Sequence, residues 1–229
     1  MTTSQKYLPI VKDTDTIRNT VLANIVKMLS SRGWILRENV GEKTKKIIDS
    51  YNDEQLYKLE LDVNLGKFDT YDPPDDDSTK KQDKNFNDKI VYIKLLPQKV
   101  TSISKSPIIT EFLNTYKNSH KILIVDSISD KSKHQLTSNK YMEVFLETHL
   151  LIDILSHVCS PQYEVLSNVE AKEVLESYNV TKKQMKKQND TDPISLYYFL
   201  KKKQILRIIR NSEITGHSTD YRIVIHKGK

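Results

Sequence analysis

The segment KILIVD, residues 121–126, sets four apolar side chains in an unbroken row, three of them β-branched. A strand turns successive side chains to opposite faces, so such a row is shielded only in a sheet covered on both sides. That demand belongs to α/β architectures, in which helices flank a sheet. The surrounding sequence supplies the other layers. IVYIKLL, residues 90–96, reads as a second strand, and residues 108–116 read as a helix. MEVFLETHLLIDILS, residues 142–156, holds one strand followed by a short helix. Further upstream, Ile17, Val21, Leu22, Ile25, Val26 and Leu29 recur at three-to-four spacing. They predict an amphipathic helix over 16–31, capped by Asp15 or Thr14 and ended by Gly33. Trp34, Ile35 and Leu36 then pack the chain back onto it, and a less periodic helix follows between 42 and 65. Strands interleaved with helices give an α/β domain over roughly residues 10–150.

Between 66 and 89 the composition shifts to Asp69, Asp72, Asp75, Asp76 and Asp77 around Pro73 and Pro74, then to Lys and Asn. Repulsion and low apolar content predict an exposed loop. The aspartates lack the glycine and terminal glutamate of a calcium-binding loop, so they carry no metal expectation. The six histidines are scattered, Cys159 is the single cysteine, and no Cys/His metal spacing occurs. No apolar run reaches 18 residues and no leader pattern opens the chain, which predicts a cytosolic or nuclear protein with no membrane partner.

Pro161 marks the predicted junction with a second unit. Ser167 and Glu170 form a capping box for a helix over 167–178. Residues 180–188 read as a basic turn or short helix, and Asp192 with Pro193 opens a third helix running to Leu200. QILRIIR, residues 204–210, and YRIVI, residues 221–225, read as an antiparallel pair joined by a ten-residue connection. This is a compact α+β unit. The formal charge of +6 lies entirely here: residues 170–229 hold 13 basic and 7 acidic side chains, whereas residues 1–169 hold 23 of each. The excess suits nucleic acid, an acidic protein surface or a solvated lysine-rich face.

Candidate chemistry fails on inspection. Ser212, Glu213, His217 and Asp220 cluster in sequence, but a triad is a spatial arrangement with a placed nucleophile and oxyanion donors. There is no GxSxG elbow and no phosphate-cradling glycine loop. Asp126, Lys121 and Lys94 imitate a nuclease centre, yet an ordinary strand terminus explains them better. Binding is the stronger case. Tyr197, Tyr198 and Phe199 precede Lys201, Lys202 and Lys203, an arrangement able to stack on bases, although helical spacing commits at least one aromatic to the core. Arg207 shares a strand face with residues 205 and 209. Arg210, Glu213 and Arg222 suit charge-assisted bonds to a loop or partner chain. A protein-docking module is the first reading; a free-standing single-stranded nucleic-acid binder is the alternative.

The stretch DPISLYYFLKKKQILRIIRNSEITGHSTDYRIVI resembles the carboxy-terminal signature of the fifth common subunit of eukaryotic RNA polymerases, a family with an archaeal counterpart. The signature falls on Asp192, Pro193, Tyr197, Lys201, Gln204, Ile208, Ile209, Arg210, Ser212, Glu213, Gly216, Tyr221 and Arg222. EVLSNVEAKEVLESYNV, with His157 and Pro161 before it, and IRNTVLANIVKMLSSRGW with its Arg-Gly-aromatic corner are similar to further parts of the family. Family members usually carry glycine at the positions of Phe199 and Lys203, proline at Asn211, histidine at Tyr163 and Leu-Pro at Met185 and Lys186. Two lost glycines imply a rebuilt turn, and the lost proline a less rigid loop entry.

The resemblance implies a non-catalytic structural subunit of a DNA-dependent RNA polymerase, with no cofactor, from a divergent enzyme of a large DNA virus. Its fold would be an α/β nuclease-like amino-terminal jaw domain, residues 1–156, plus a small α+β assembly domain, residues 157–229. The assembly domain would dock on the largest subunit, through Asp192, Pro193, Tyr197, Lys201, Gln204, Arg207, Arg210, Ser212, Glu213, Gly216, Tyr221 and Arg222. The jaw would stand beside downstream DNA. With balanced charge over residues 1–169, that contact would be peripheral and engage few phosphates. The setting would be virion and host cytoplasm for a virus, or nucleus for a cell.

Overall fold

In the computed structural model the described residues are 13–50, 55–63, 65, 87–103, 106–139, 141–212 and 216–226. The first element is the expected amphipathic helix, α1 (Thr14–Ser31), which buries Val21, Leu22, Ile25, Val26, Met28 and Leu29. Asp13, not Asp15 or Thr14, is its N-cap residue. Gly33 follows with φ of 78°, a left-handed value that glycine adopts without strain, and it turns Trp34 and Ile35 under the helix.

The helix expected over 42–65 is two elements. Helix α2 (Val40–Asp49) ends early, and β1 (Leu56–Glu60) follows. In β1, Tyr57 and Leu59 are buried while Lys58 and Glu60 are exposed, the period-two pattern of a half-covered strand. Strand β2 (Asn87–Val100) begins three residues before the predicted end of the acidic loop; the rest of that loop lies outside the described residues. After α3 (Pro107–Thr115) comes β3 (Ser119–Ile128), then α4 (Asp130–Thr137), β4 (Met142–Leu146) and the short α5 (Glu147–Leu150). Helix α4 escaped prediction because Leu136 is its one buried apolar residue.

These strands form one sheet in the order β1-β2-β3-β4, antiparallel at β1/β2 and parallel elsewhere. Strand β3 is central and covered on both faces, as its sequence demanded. Ile122 and Ile124 pack with Ile93, Phe145 and α1, whereas Leu123 and Val125 pack with Val144, Ile109, Phe112 and Leu136. Each such side chain removed from water contributes about 1.5–3 kcal/mol.

A second sheet has the order β5-β7-β8-β6. It contains β5 (Gln162–Val165), β6 (Lys186–Asn189), β7 (Ile205–Ser212) and β8 (Gly216–Ile225), with α6 (Asn168–Ser177) and α7 (Pro193–Tyr197) between them. The capping box at Ser167 and Glu170 is present. Residues 186–189, read from sequence as part of a basic turn or helix, instead pair in parallel with β8. The ten-residue connection is mostly strand, since β7 and β8 stay paired out to Ser212 and Gly216. Alternation divides the apolar side chains. Ile205 and Ile223 meet Val174 and Leu175 of α6, while Leu206, Ile208 and Val224 meet Ile194, Tyr198 and Leu200. The described residues thus form a mixed α/β architecture with two four-stranded sheets.

Candidate functional site

Asp192 caps α7 by accepting the Ile194 N–H at 2.9 Å, and Pro193 occupies the first helical turn. The Gln188 side-chain amide donates to both Asp192 and Ser195, and the Ser195 hydroxyl donates to the Asn189 carbonyl at 2.7 Å. After α7 the chain turns through Phe199 (φ 52°) and Lys203 (φ 73°). Both positions hold the left-handed backbone that glycine favours, here carried by residues with a Cβ. Buried Gln204 closes it, its side-chain carbonyl accepting the Lys201 N–H at 2.6 Å. Asp192, Pro193, Tyr197, Lys201 and Gln204 thus build one capped turn.

The remaining signature residues lie on the sheet. Arg207 pairs with Glu164 at 3.0 Å and stands 5.8 Å over the Tyr221 ring, which itself meets Tyr178 at 5.7 Å. Arg222 reaches Asp220 at 3.4 Å, and Lys186 reaches the same carboxylate at 2.7 Å. Arg210 is exposed opposite Ser218. Ser212 faces Gly216 across the hairpin end, where Gly216 has φ of 74°. Glu213 lies outside the described residues.

A buried cluster that the sequence did not reveal ties this turn to the first sheet. Arg32, at the end of α1, makes two 2.7 Å bonds to the Glu143 carboxylate. Its Nε donates to the Tyr197 carbonyl at 2.7 Å and its Nη2 to that of Leu196 at 3.1 Å. His120 Nε2 lies 2.6 Å from Glu143. Trp34 and Phe199 meet the His120 ring edge-on at 5.2 and 5.3 Å, and the guanidinium lies 4.9 Å from the Trp34 ring. Burial alone would raise the Glu143 pKa, but the Arg32 charge and the bonds from His120 and Arg32 bring it down to about 2. Burial lowers the pKa of His120, with the Glu143 contact opposing it in part. The visible signals are Glu143 inside the otherwise apolar β4, His120 just before the apolar run of β3, and the Arg-Gly-Trp corner.

The groups tested for catalysis do not converge. Lys121 donates to the carbonyls of Tyr116, Lys117 and Ser119 at 2.6, 3.2 and 3.2 Å, and burial pulls its pKa to about 8. Asp126 is exposed five residues further along the same strand, roughly 16 Å away at strand rise. His217 and Asp220 are three residues apart on β8 and so face opposite sides. Among the described residues, no group of three His, Cys, Asp or Glu side chains could hold a metal ion. Nor do the three aromatics form a stacking platform: Tyr197 is buried, Phe199 is packed against Trp34 and His120 with Lys201 3.4 Å above its ring, and burial pushes the Tyr198 hydroxyl up to about 12. Among the described residues no helix is long and apolar enough to cross a membrane.

Two sheets linked through Arg32, which Glu143 holds in the first unit and which bonds main-chain carbonyls of the second, with the polar signature residues divided between a capped turn and a strand pair, give the frame of a structural component. The comparisons narrow that class. The chain is 31% identical over 226 residues to the DNA-directed RNA polymerase subunit 5 of Acanthamoeba polyphaga mimivirus, covering 98% of this chain and 100% of the viral one. It is 36% identical over 87 residues to the subunit RPABC1 of DNA-directed RNA polymerases I, II and III of Caenorhabditis briggsae and of Caenorhabditis elegans, covering 38% of this chain and 41% of each nematode protein. A family model described as RNA polymerase Rpb5, C-terminal domain, matches residues 152–224. The chain belongs to the RNA polymerase subunit 5 family. It is a component of a polymerase complex and not an enzyme by itself.

Proposed function

We propose that this protein is a structural subunit that docks on the largest polymerase subunit through residues 157–229 and holds residues 1–156 as a jaw beside downstream DNA. The observation that carries the docking half is the division of labour within the signature. Tyr197 and Gln204 are buried where α7 and the turn after it meet the core, while Arg207, Arg210 and Arg222 stand on the sheet and its hairpin. Cations on a strand pair offer charge-assisted bonds to a partner chain. The parallel β2-β3-β4 core flanked by helices supports a nuclease-like reading of the first unit, and the dispersal of Lys121 and Asp126 supports one without a catalytic centre.

End-to-end similarity to a mimivirus subunit, against 38% of the chain for the nematode subunits, supports a large DNA virus as the setting, with the protein in virion and host cytoplasm. Affinity purification of the tagged chain from its native source tests the assignment. Very large catalytic subunits should come with it in near-equal amounts; recovery of the chain alone would sink the reading.

A further inference from the structure

We propose that the outer edge of β8 at His217 and Thr219 receives an extended, acidic strand of the large subunit, which continues the line of β6. This rests on the docking reading above and specifies how that contact is made.

The hairpin outruns its own sheet on both sides. Strand β5 pairs with β7 only from Leu206 to Ile209, and β6 pairs with β8 only from Arg222 to Ile225. Strands β7 and β8 nevertheless remain paired to Ser212 and Gly216. Residues 210–211 and 216–219 are exposed and belong to no hydrophobic cluster. A two-stranded ribbon without a covered face is marginal in water, and an uncovered strand edge is a template for another strand.

The backbone directions are fixed by bonds further along β8. Val224 donates its N–H to the Gln204 carbonyl and accepts from the Lys203 N–H, so even-numbered residues turn their polar groups toward β7. The Ile225 carbonyl accepts the Asp190 N–H on the β6 side, so odd-numbered residues turn theirs outward. Along β8 this alternation points the N–H and C=O groups of His217 and Thr219 away from β7. No strand lies alongside them among the described residues.

Charge selects the incoming strand. Arg210, Arg222 and Lys186 share one face of the sheet, and Asp220, the carboxylate among them, already engages Lys186 and Arg222. Arg210 is exposed with no ion-pair partner among the described residues. An added strand projects alternate side chains over this face, where carboxylates would meet the surplus cations.

The test uses the tagged full chain, co-expressed with the large subunit, and measures retention of that subunit. Thr219→Pro removes an outward N–H and leaves the ladder with β7 intact. It should weaken retention about tenfold, as should Arg210→Glu, while Thr219→Ala stays within about twofold. Wild-type-like retention by a folded Thr219→Pro chain overturns the strand addition and leaves docking standing. Failure of the wild-type chain to retain the large subunit overturns both. If Thr219→Pro unfolds the hairpin, hydrogen exchange in the wild-type complex decides: slowed His217 and Thr219 amides support the added strand, and unchanged exchange overturns it.

Discussion

Arg32 directs its guanidinium at one carboxylate and two main-chain carbonyls, all out of water. Removing one member of such a buried pair strands the other charge, which costs about 3–5 kcal/mol. Arg32→Met should lose that much in urea unfolding, and Arg32→Lys should lose stability too because an ammonium cannot match the fork geometry. Acid titration reports the same cluster. The folded His120 titrates below its ordinary value of 6.5, so the unfolded chain takes up a proton first and stability falls as pH drops below 6.5. Glu143 is depressed from 4.5 to about 2, so its contribution is present above 4.5 and fades as pH falls toward 2. Melting temperature against pH should show both limbs, and His120→Phe should lack the upper one; an unchanged upper limb would refute the assignment. Each group is visible in the sequence as a polar residue beside an apolar run, but their meeting is not. Each sits in a strand that reads as core, and they meet only because β3 and β4 align Ile122 with Glu143.

Elements with strong local signals were legible, and those made by pairing were not. The spacing of α1, the capping box of α6 and the Asp-Pro start of α7 survive almost unchanged. Strands β5 and β6 have four residues each and exist because β7 and β8 offer them edges, a long-range fact that short apolar runs cannot encode. Exposed Ser, Thr and His side chains give β8 no apolar alternation before Tyr221, so its first half carries no strand signal. The turn after α7 yields a paired prediction. Lys203 holds φ of 73° on an exposed side chain, so Lys203→Gly should stabilise the protein by about 1 kcal/mol in urea unfolding. Phe199 holds φ of 52° but packs against Trp34 and His120, so Phe199→Gly should destabilise it. A Lys203→Gly chain no more stable than the parent would show that backbone strain does not govern this turn.

At the scale of the whole molecule, the charge distribution limits what the proposed jaw does. Residues 1–169 carry 23 basic and 23 acidic side chains, so duplex DNA binding by the isolated chain should have a shallow salt dependence. The logarithmic slope should be no steeper than about −3, against the −5 or beyond expected when six or more phosphates are neutralised. A steep slope in a salt titration would move DNA to the centre of the function. The joint between the sheets has a consequence for descent. Arg32 grips the last turn of α7 through the carbonyls of Leu196 and Tyr197, which every amino acid supplies equally. The carboxy-terminal half can therefore drift in side-chain identity while Arg32 and Glu143 stay as they are, provided the turn keeps its course. A chimera joining this amino-terminal half to a distant relative's carboxy-terminal half would inherit a working seam, with the neighbour of Trp34 and His120 at position 199 as its main point of incompatibility.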